Sequence, residues 1–73
     1  MPKLPQIKPK DLEKALIKLG FSPRPTKSGH VVFTQPDGRR TVVPAHSRPV
    51  ATGTLRAIIR QIDISINEFL KLL

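Results

Sequence analysis

Two runs that favour extended backbone, Val31-Val32-Phe33-Thr34 and Arg40-Thr41-Val42-Val43, are separated by Gln35-Pro36-Asp37-Gly38-Arg39. This stretch constrains the fold more than any other. Proline presets φ at the first central position of a type I turn, aspartate braces the backbone, and glycine accepts a positive φ. The β-branched and aromatic residues on either side suit a pleated surface, so the stretch predicts a β-hairpin with strands near His30–Gln35 and Arg39–Val43. If Gln35 pairs with Arg39, Phe33 lies opposite Thr41 and Val31 opposite Val43 on one face. His30, Val32 and Val42 then share the other face. Phe33 is the largest apolar group, so its face is assigned to the core. His30 then points to the open face, where Val32 and Val42 are partly exposed.

Helical spacing flanks the hairpin. Leu12, Ala15, Leu16 and Leu19 recur at i, i+3, i+4 and i+7, after Pro9 at a first helical position and with Asp11 and Glu13 in the first turn. Lys10, Lys14 and Lys18 gather on another face of that helix. Gly20 is placed to end it in left-handed geometry, with Phe21 folding back. Leu55, Ile58, Ile59 and Ile62 repeat the stripe in a second helix, for which Thr52 is the expected N-cap. That helix breaks near Asp63, and Ser65-Ile66-Asn67-Glu68 reads as a capping box for a short last helix. Between the first helix and the hairpin, Pro23 and Pro25 share one parity, which fits a short, irregular edge strand or an extended link. Residues 1–8 carry two prolines and no periodicity and read as an arm; residues 45–53 read as a connector. The expected class is α+β, in the order α-β-β-β-α, in a single domain spanning residues 1–73.

A chain of 73 residues buries only about 60–65% of its unfolded surface, so its core must be small. Cysteine is absent, which removes disulfides and thiolate–metal sites as supplements. Two histidines and five carboxylates stand without ligand spacing, so no metal and no small-molecule cofactor is expected. No apolar run reaches membrane-spanning length and no secretory leader is evident, so a cytoplasmic protein is expected. Charge is the strongest compositional signal, with 13 basic residues against five acidic ones and a formal net charge of +8. Arg24, Lys27, Arg39, Arg40, Arg48, Arg56 and Arg60 fall in a stretch where Asp37 is the lone acid. Such a distribution attracts a nucleic-acid backbone or an acidic protein.

No Ser-His-acid constellation, phosphate-binding loop or dinucleotide fingerprint is present. Cleavage of RNA needs less equipment, because the ribose 2′-hydroxyl is already the nucleophile. The protein must supply a base, positive charge and positioning. A histidine such as His30 can serve as that base; the bland alternative is a surface imidazole. Lys27, Ser28, Arg39 and Arg40 adjoin it in sequence as candidate RNA contacts. Alternation splits Arg39 and Arg40 across the sheet, so at most one shares His30's face. Arg56 and Arg60, four apart on the second helix, can hold RNA, an acidic partner, or only solvent. His46 is either a second proton-transfer or phosphate-contacting group or a solvated loop residue.

The chain resembles the HicA family of bacterial toxins, small mRNA interferases paired with HicB antitoxins. The likeness is carried by Met1-Pro2-Lys3-Leu4-Pro5, Leu19-Gly20-Phe21, the histidine before the strand that ends in Phe33, and Pro36-Asp37-Gly38-Arg39-Arg40. It continues through Val43-Pro44 with His46 and through Gly53-Thr54-Leu55-Arg56 leading to Ile59-Arg60-Gln61. The resemblance implies a fold like the double-stranded-RNA-binding domain, with a three-stranded antiparallel sheet and helices on one face. It implies His30 as the catalytic residue, mRNA as substrate and a HicB-like antitoxin as partner. One departure stands out: the family's histidine follows Gly-Ser, whereas this chain reads Ser28-Gly29-His30, which moves the hydroxyl one position away. The competing reading is a non-catalytic RNA-binding module on the same scaffold, since duplex RNA is gripped through phosphates and 2′-hydroxyls without any histidine.

Overall fold

The computed structural model describes residues 4–44 and 48–73. The elements run α1 (Pro9–Lys18), β1 (Ser22–Pro25), β2 (Val31–Thr34), β3 (Arg40–Val43), α2 (Thr52–Gln61) and α3 (Ile66–Leu70). The strands form one antiparallel sheet in the order β1-β2-β3. This is the α-β-β-β-α arrangement expected, with helices on one side of the sheet.

Helix α1 begins with Pro9 in its first turn and buries Leu12, Ala15 and Leu16. Its end follows the paired-bond pattern of a left-handed helix stop: Gly20 N–H donates to the Ile17 carbonyl (2.9 Å) and Phe21 N–H to the Leu16 carbonyl (3.0 Å), with Gly20 at φ 92. Phe21 is thereby folded under the sheet and is 3% exposed. Helix α2 buries Leu55, Ile58 and Ile59, and Ile62 just past its end is fully buried. It starts one residue earlier than expected. Thr52 is already helical, and Ala51, which has no side-chain oxygen, stands at the cap. Asp63, at φ 57, takes the left-handed position that stops α2. Ser65 Oγ accepts from Glu68 N–H (3.1 Å) and starts α3, as the capping pattern predicts.

The hairpin register is the expected one: Val31 faces Val43, Val32 faces Val42, and Phe33 faces Thr41. The strands are each a residue or two shorter than the sequence runs suggest. Phe33 (0% exposed), Thr41 (2%) and Val43 (1%) form the covered face beneath α1 and α2. Thr41 is the one buried polar residue there, and its hydroxyl donates to Gln61 Oε1 on α2 (2.6 Å). That bond offsets the cost of placing a hydroxyl in the core. On the other face Val32 is half-buried and Val42 is 40% exposed.

Strand β1 is a true edge strand, opposing Ser22–Thr34, Pro23–Phe33, Arg24–Val32 and Pro25–Val31. Thr26 N–H donates to the His30 carbonyl (3.0 Å), which sets the parity of bonding residues. Pro23 and Pro25 fall on the opposite parity, so their missing donors face outward and the ladder loses nothing. The expected arm is partly core. Ile7 is 3% exposed, Leu4 packs against the cluster, and the Ile7 carbonyl accepts from Val50 N–H (2.7 Å). Two isolated apolar residues lack periodicity, so no sequence pattern marks their burial.

Phe33→Ala should cost about 3–5 kcal/mol, the usual loss for a buried phenylalanine, against a typical total stability of about 5–15 kcal/mol. Urea unfolding followed by circular dichroism should show its transition displaced far toward zero denaturant. Val42→Ala, on the uncovered face, should stay within about 0.5 kcal/mol of the parent. Equal losses at both sites would contradict the assignment of faces.

Candidate functional site

The β1–β2 connection is Thr26-Lys27-Ser28-Gly29-His30. Gly29 N–H donates to the Thr26 carbonyl (3.1 Å) and Thr26 N–H to the His30 carbonyl (3.0 Å), with Gly29 at φ 89. The β2–β3 connection is built the same way. Gly38 N–H donates to the Gln35 carbonyl (3.0 Å) and Gln35 N–H to the Arg39 carbonyl (2.9 Å), with Gly38 at φ 98. Both are three-residue hairpin loops in which a type I turn is followed by a left-handed bulge residue. The order Ser28-Gly29 therefore puts glycine where the bulge needs it and serine at the position Asp37 holds in the other turn.

His30 stands directly after the bulge, exposed, with the parity of Val32 and hence on the open face. The displaced hydroxyl still reaches the ring: Ser28 Oγ lies 3.1 Å from His30 Nδ1. Thr26 Oγ1 lies 3.0 Å from Ser28 Oγ and donates to the His30 carbonyl (2.8 Å). The imidazole is held at one nitrogen by the turn that carries it. Lys27 is exposed at the tip of the same turn.

Alternation brings two arginines to this open face. Arg24 faces Val32 on β1, about 7 Å along the strand from His30, and Arg40 faces Thr34 on β3, about 13 Å along. Arg40 is among the expected contacts. In the sequence Arg24 stands out only as one of a group of basic residues; its place between two same-parity prolines carries the signal. Thr26 was also missed, because its role depends on the turn register.

Arg39 goes to the helix side instead. Its backbone N–H donates to Asp37 Oδ1 (3.0 Å) and its Nε to Asp37 Oδ2 (2.8 Å). Nη1 donates to the Ile62 carbonyl at the end of α2, and the guanidinium lies 5.4 Å from the centre of the Phe21 ring. A cation at a helix C-terminus satisfies an orphan carbonyl and offsets the helix dipole. Gln35 Nε2, uncharged, likewise donates to the Leu19 carbonyl after α1 (2.6 Å). Both helix ends are thus tied to the hairpin tip, and Arg39 is committed there. Arg56 and Arg60 are exposed on α2, away from its buried stripe. His46 lies outside the described residues.

Among the described residues, no three of His, Cys, Asp and Glu gather as metal ligands, and no helix is long and apolar enough to cross a membrane. Among the described residues, what the open face offers is one exposed imidazole, held at Nδ1, with Arg24 on β1, Arg40 on β3 and Lys27 at the tip of the β1–β2 turn. Such a set can move a proton beside a phosphate and stabilise added negative charge there.

The family model described as HicA toxin of bacterial toxin–antitoxin matches residues 9–64, most of the chain and all but the last of its helices and strands. A search of the curated proteins finds no match.

The Arg39 backbone N–H, with the guanidinium adding to it, holds the Asp37 carboxyl below its ordinary value of 3.8. A lowered carboxylate contributes stability that is complete above the unfolded-state value and disappears as pH falls through the folded-state value. The parent should therefore melt above Asp37→Asn at pH 6, and the gap should close as the pH is taken below about 3.8. A gap that persists undiminished at pH 2, measured by thermal scans, would contradict the ionic tie.

Proposed function

The chain belongs to the HicA toxin family, and on that premise we propose that it is the toxin of a type II toxin–antitoxin system acting as a metal-independent endoribonuclease on mRNA. The observation that carries this reading is His30: exposed, on the open face, and held at Nδ1 by Ser28. Its other ring nitrogen takes the proton of a ribose 2′-hydroxyl as that oxygen attacks the adjacent phosphorus. The bond from phosphorus to the 5′-oxygen breaks, and that oxygen takes a proton from solvent water as it leaves. The products carry a 2′,3′-cyclic phosphate and a free 5′-hydroxyl. Lys27 and Arg24, the cations nearer His30, supply the positive charge that favours the dianionic transition state, and Arg40, farther along the same face, holds another phosphate of the RNA. Arg56 and Arg60 extend the basic surface on α2 toward RNA or the antitoxin.

The family places the chain with an antitoxin partner. We assign that partner as an acidic, HicB-like protein that lies over the open face and covers His30. A chain at +8 draws such a partner by electrostatic steering, which salt weakens. The site of action is the cytoplasm, where mRNA is met.

His30→Ala should fold and melt within a few degrees of the parent, since an exposed side chain seldom costs more than about 0.5 kcal/mol. Its RNA cleavage should fall by roughly 10²-fold or more, the usual contribution of a general base. Cleavage by the parent should survive excess EDTA. Parental cleavage by folded His30→Ala would remove His30 as the base, and a parent that binds RNA without cleaving it would be a non-catalytic RNA-binding module.

Binding tests the division of labour between the arginines. With single-stranded RNA, Arg40→Ala should flatten the log–log salt dependence of affinity by about 0.7, one phosphate contact. Arg39→Ala should leave that slope alone and lower the melting temperature instead. The reverse pattern would put Arg39 on the RNA.

A further inference from the structure

The hydrogen-bonded chain in the β1–β2 turn has only one consistent arrangement of protons. The His30 carbonyl can only accept, so the Thr26 hydroxyl, 2.8 Å away, must donate to it. A threonine has one hydroxyl hydrogen, and this contact uses it. Across the 3.0 Å contact between Thr26 Oγ1 and Ser28 Oγ, serine must therefore be the donor. That in turn spends the single hydrogen of Ser28. The remaining contact, 3.1 Å between Ser28 Oγ and His30 Nδ1, can then be made only by a hydrogen on Nδ1.

We infer that Thr26 and Ser28 are positioning residues that fix His30 in the tautomer protonated on Nδ1, so that Nε2 is the atom that takes the proton. This rests on the reading of His30 as the base. The chain starts at a backbone carbonyl, which can only accept, so its direction is set within the turn. It also survives the reaction. When Nε2 accepts a proton the ring becomes imidazolium, Nδ1–H still donates to Ser28, and no other bond in the turn has to change. A base whose surroundings need no rearrangement on protonation works from a preorganised site. The Ser28-Gly29 order therefore does not remove the serine from the site. It turns the serine into a relay between the ring and Thr26.

Long-range proton–nitrogen NMR correlations of the imidazole, on the neutral ring of the folded chain, report which nitrogen bears hydrogen. The parent should show a protonated Nδ1 and a bare Nε2; the opposite pattern overturns the inference. Thr26→Val keeps the branched shape and the backbone bond to His30 but frees the Ser28 hydrogen to donate to Nδ1. The ring should then shift toward the Nε2-protonated form, and cleavage should fall by about tenfold or more, as when a catalytic histidine is left in the wrong tautomer. Thr26→Ser should restore both. An unchanged tautomer in Thr26→Val would mean that the relay does not begin at residue 26. If the tautomer behaves as stated while His30→Ala still cleaves RNA, the relay stands and the assignment of the base fails.

Discussion

The arrangement depends on covering a single face of a very small sheet. Four-residue strands offer few inward positions, and Phe33, Thr41 and Val43 fill the ones that α1 and α2 bury. Once those are fixed, alternation leaves no freedom for their neighbours. Arg24, Val32 and Arg40 must face the other way, and His30 continues that row past the strand end. The functional surface is the complement of the core, set by the same two-residue period. A slip of one residue between β2 and β3 would exchange the two sets, placing cations beneath the helices. The register is therefore held at the tip, where Gln35 and Arg39 are tied to the ends of both long helices.

Much of this was legible in the residues. Pro36-Asp37-Gly38 named the turn, and pairing Gln35 with Arg39 gave the register and the covered face. Both apolar stripes and the Gly20 stop announced α1 and α2. What could not be read is instructive. Two adjacent arginines look equivalent in a sequence, yet one is a strut between Asp37, Ile62 and Phe21 and the other faces solvent on the open side. Periodicity could split the pair but could not say what the inward one would touch. Ile7 and Leu4 fall in a segment that reads as an arm, because burial of lone apolar residues leaves no repeating pattern.

The Ser28-Gly29 order shows why local chemistry must be read through backbone geometry. As a string, it moves a hydroxyl away from the histidine. As a turn, it places glycine at the bulge and leaves the hydroxyl 3.1 Å from the ring. The second hairpin makes the same use of the same position, since Asp37 reaches forward over its glycine to Arg39. One loop geometry, used twice, steadies an imidazole at one end of the sheet and a guanidinium at the other.

The two outer margins of the sheet are not alike. Along β1 the prolines present carbonyls and carbon atoms where a neighbouring chain would look for donors. Along β3 the parity set by Gln35 and Arg39 turns the N–H and carbonyl groups of Arg40 and Val42 away from β2, and no proline interrupts them. Outward N–H groups are thus missing at residues 23 and 25 on one margin and present at 40 and 42 on the other. The margin that keeps its hydrogen-bonding groups is therefore the one beside Arg40, on the cationic side of the sheet, and the blunted margin is the one beside Arg24.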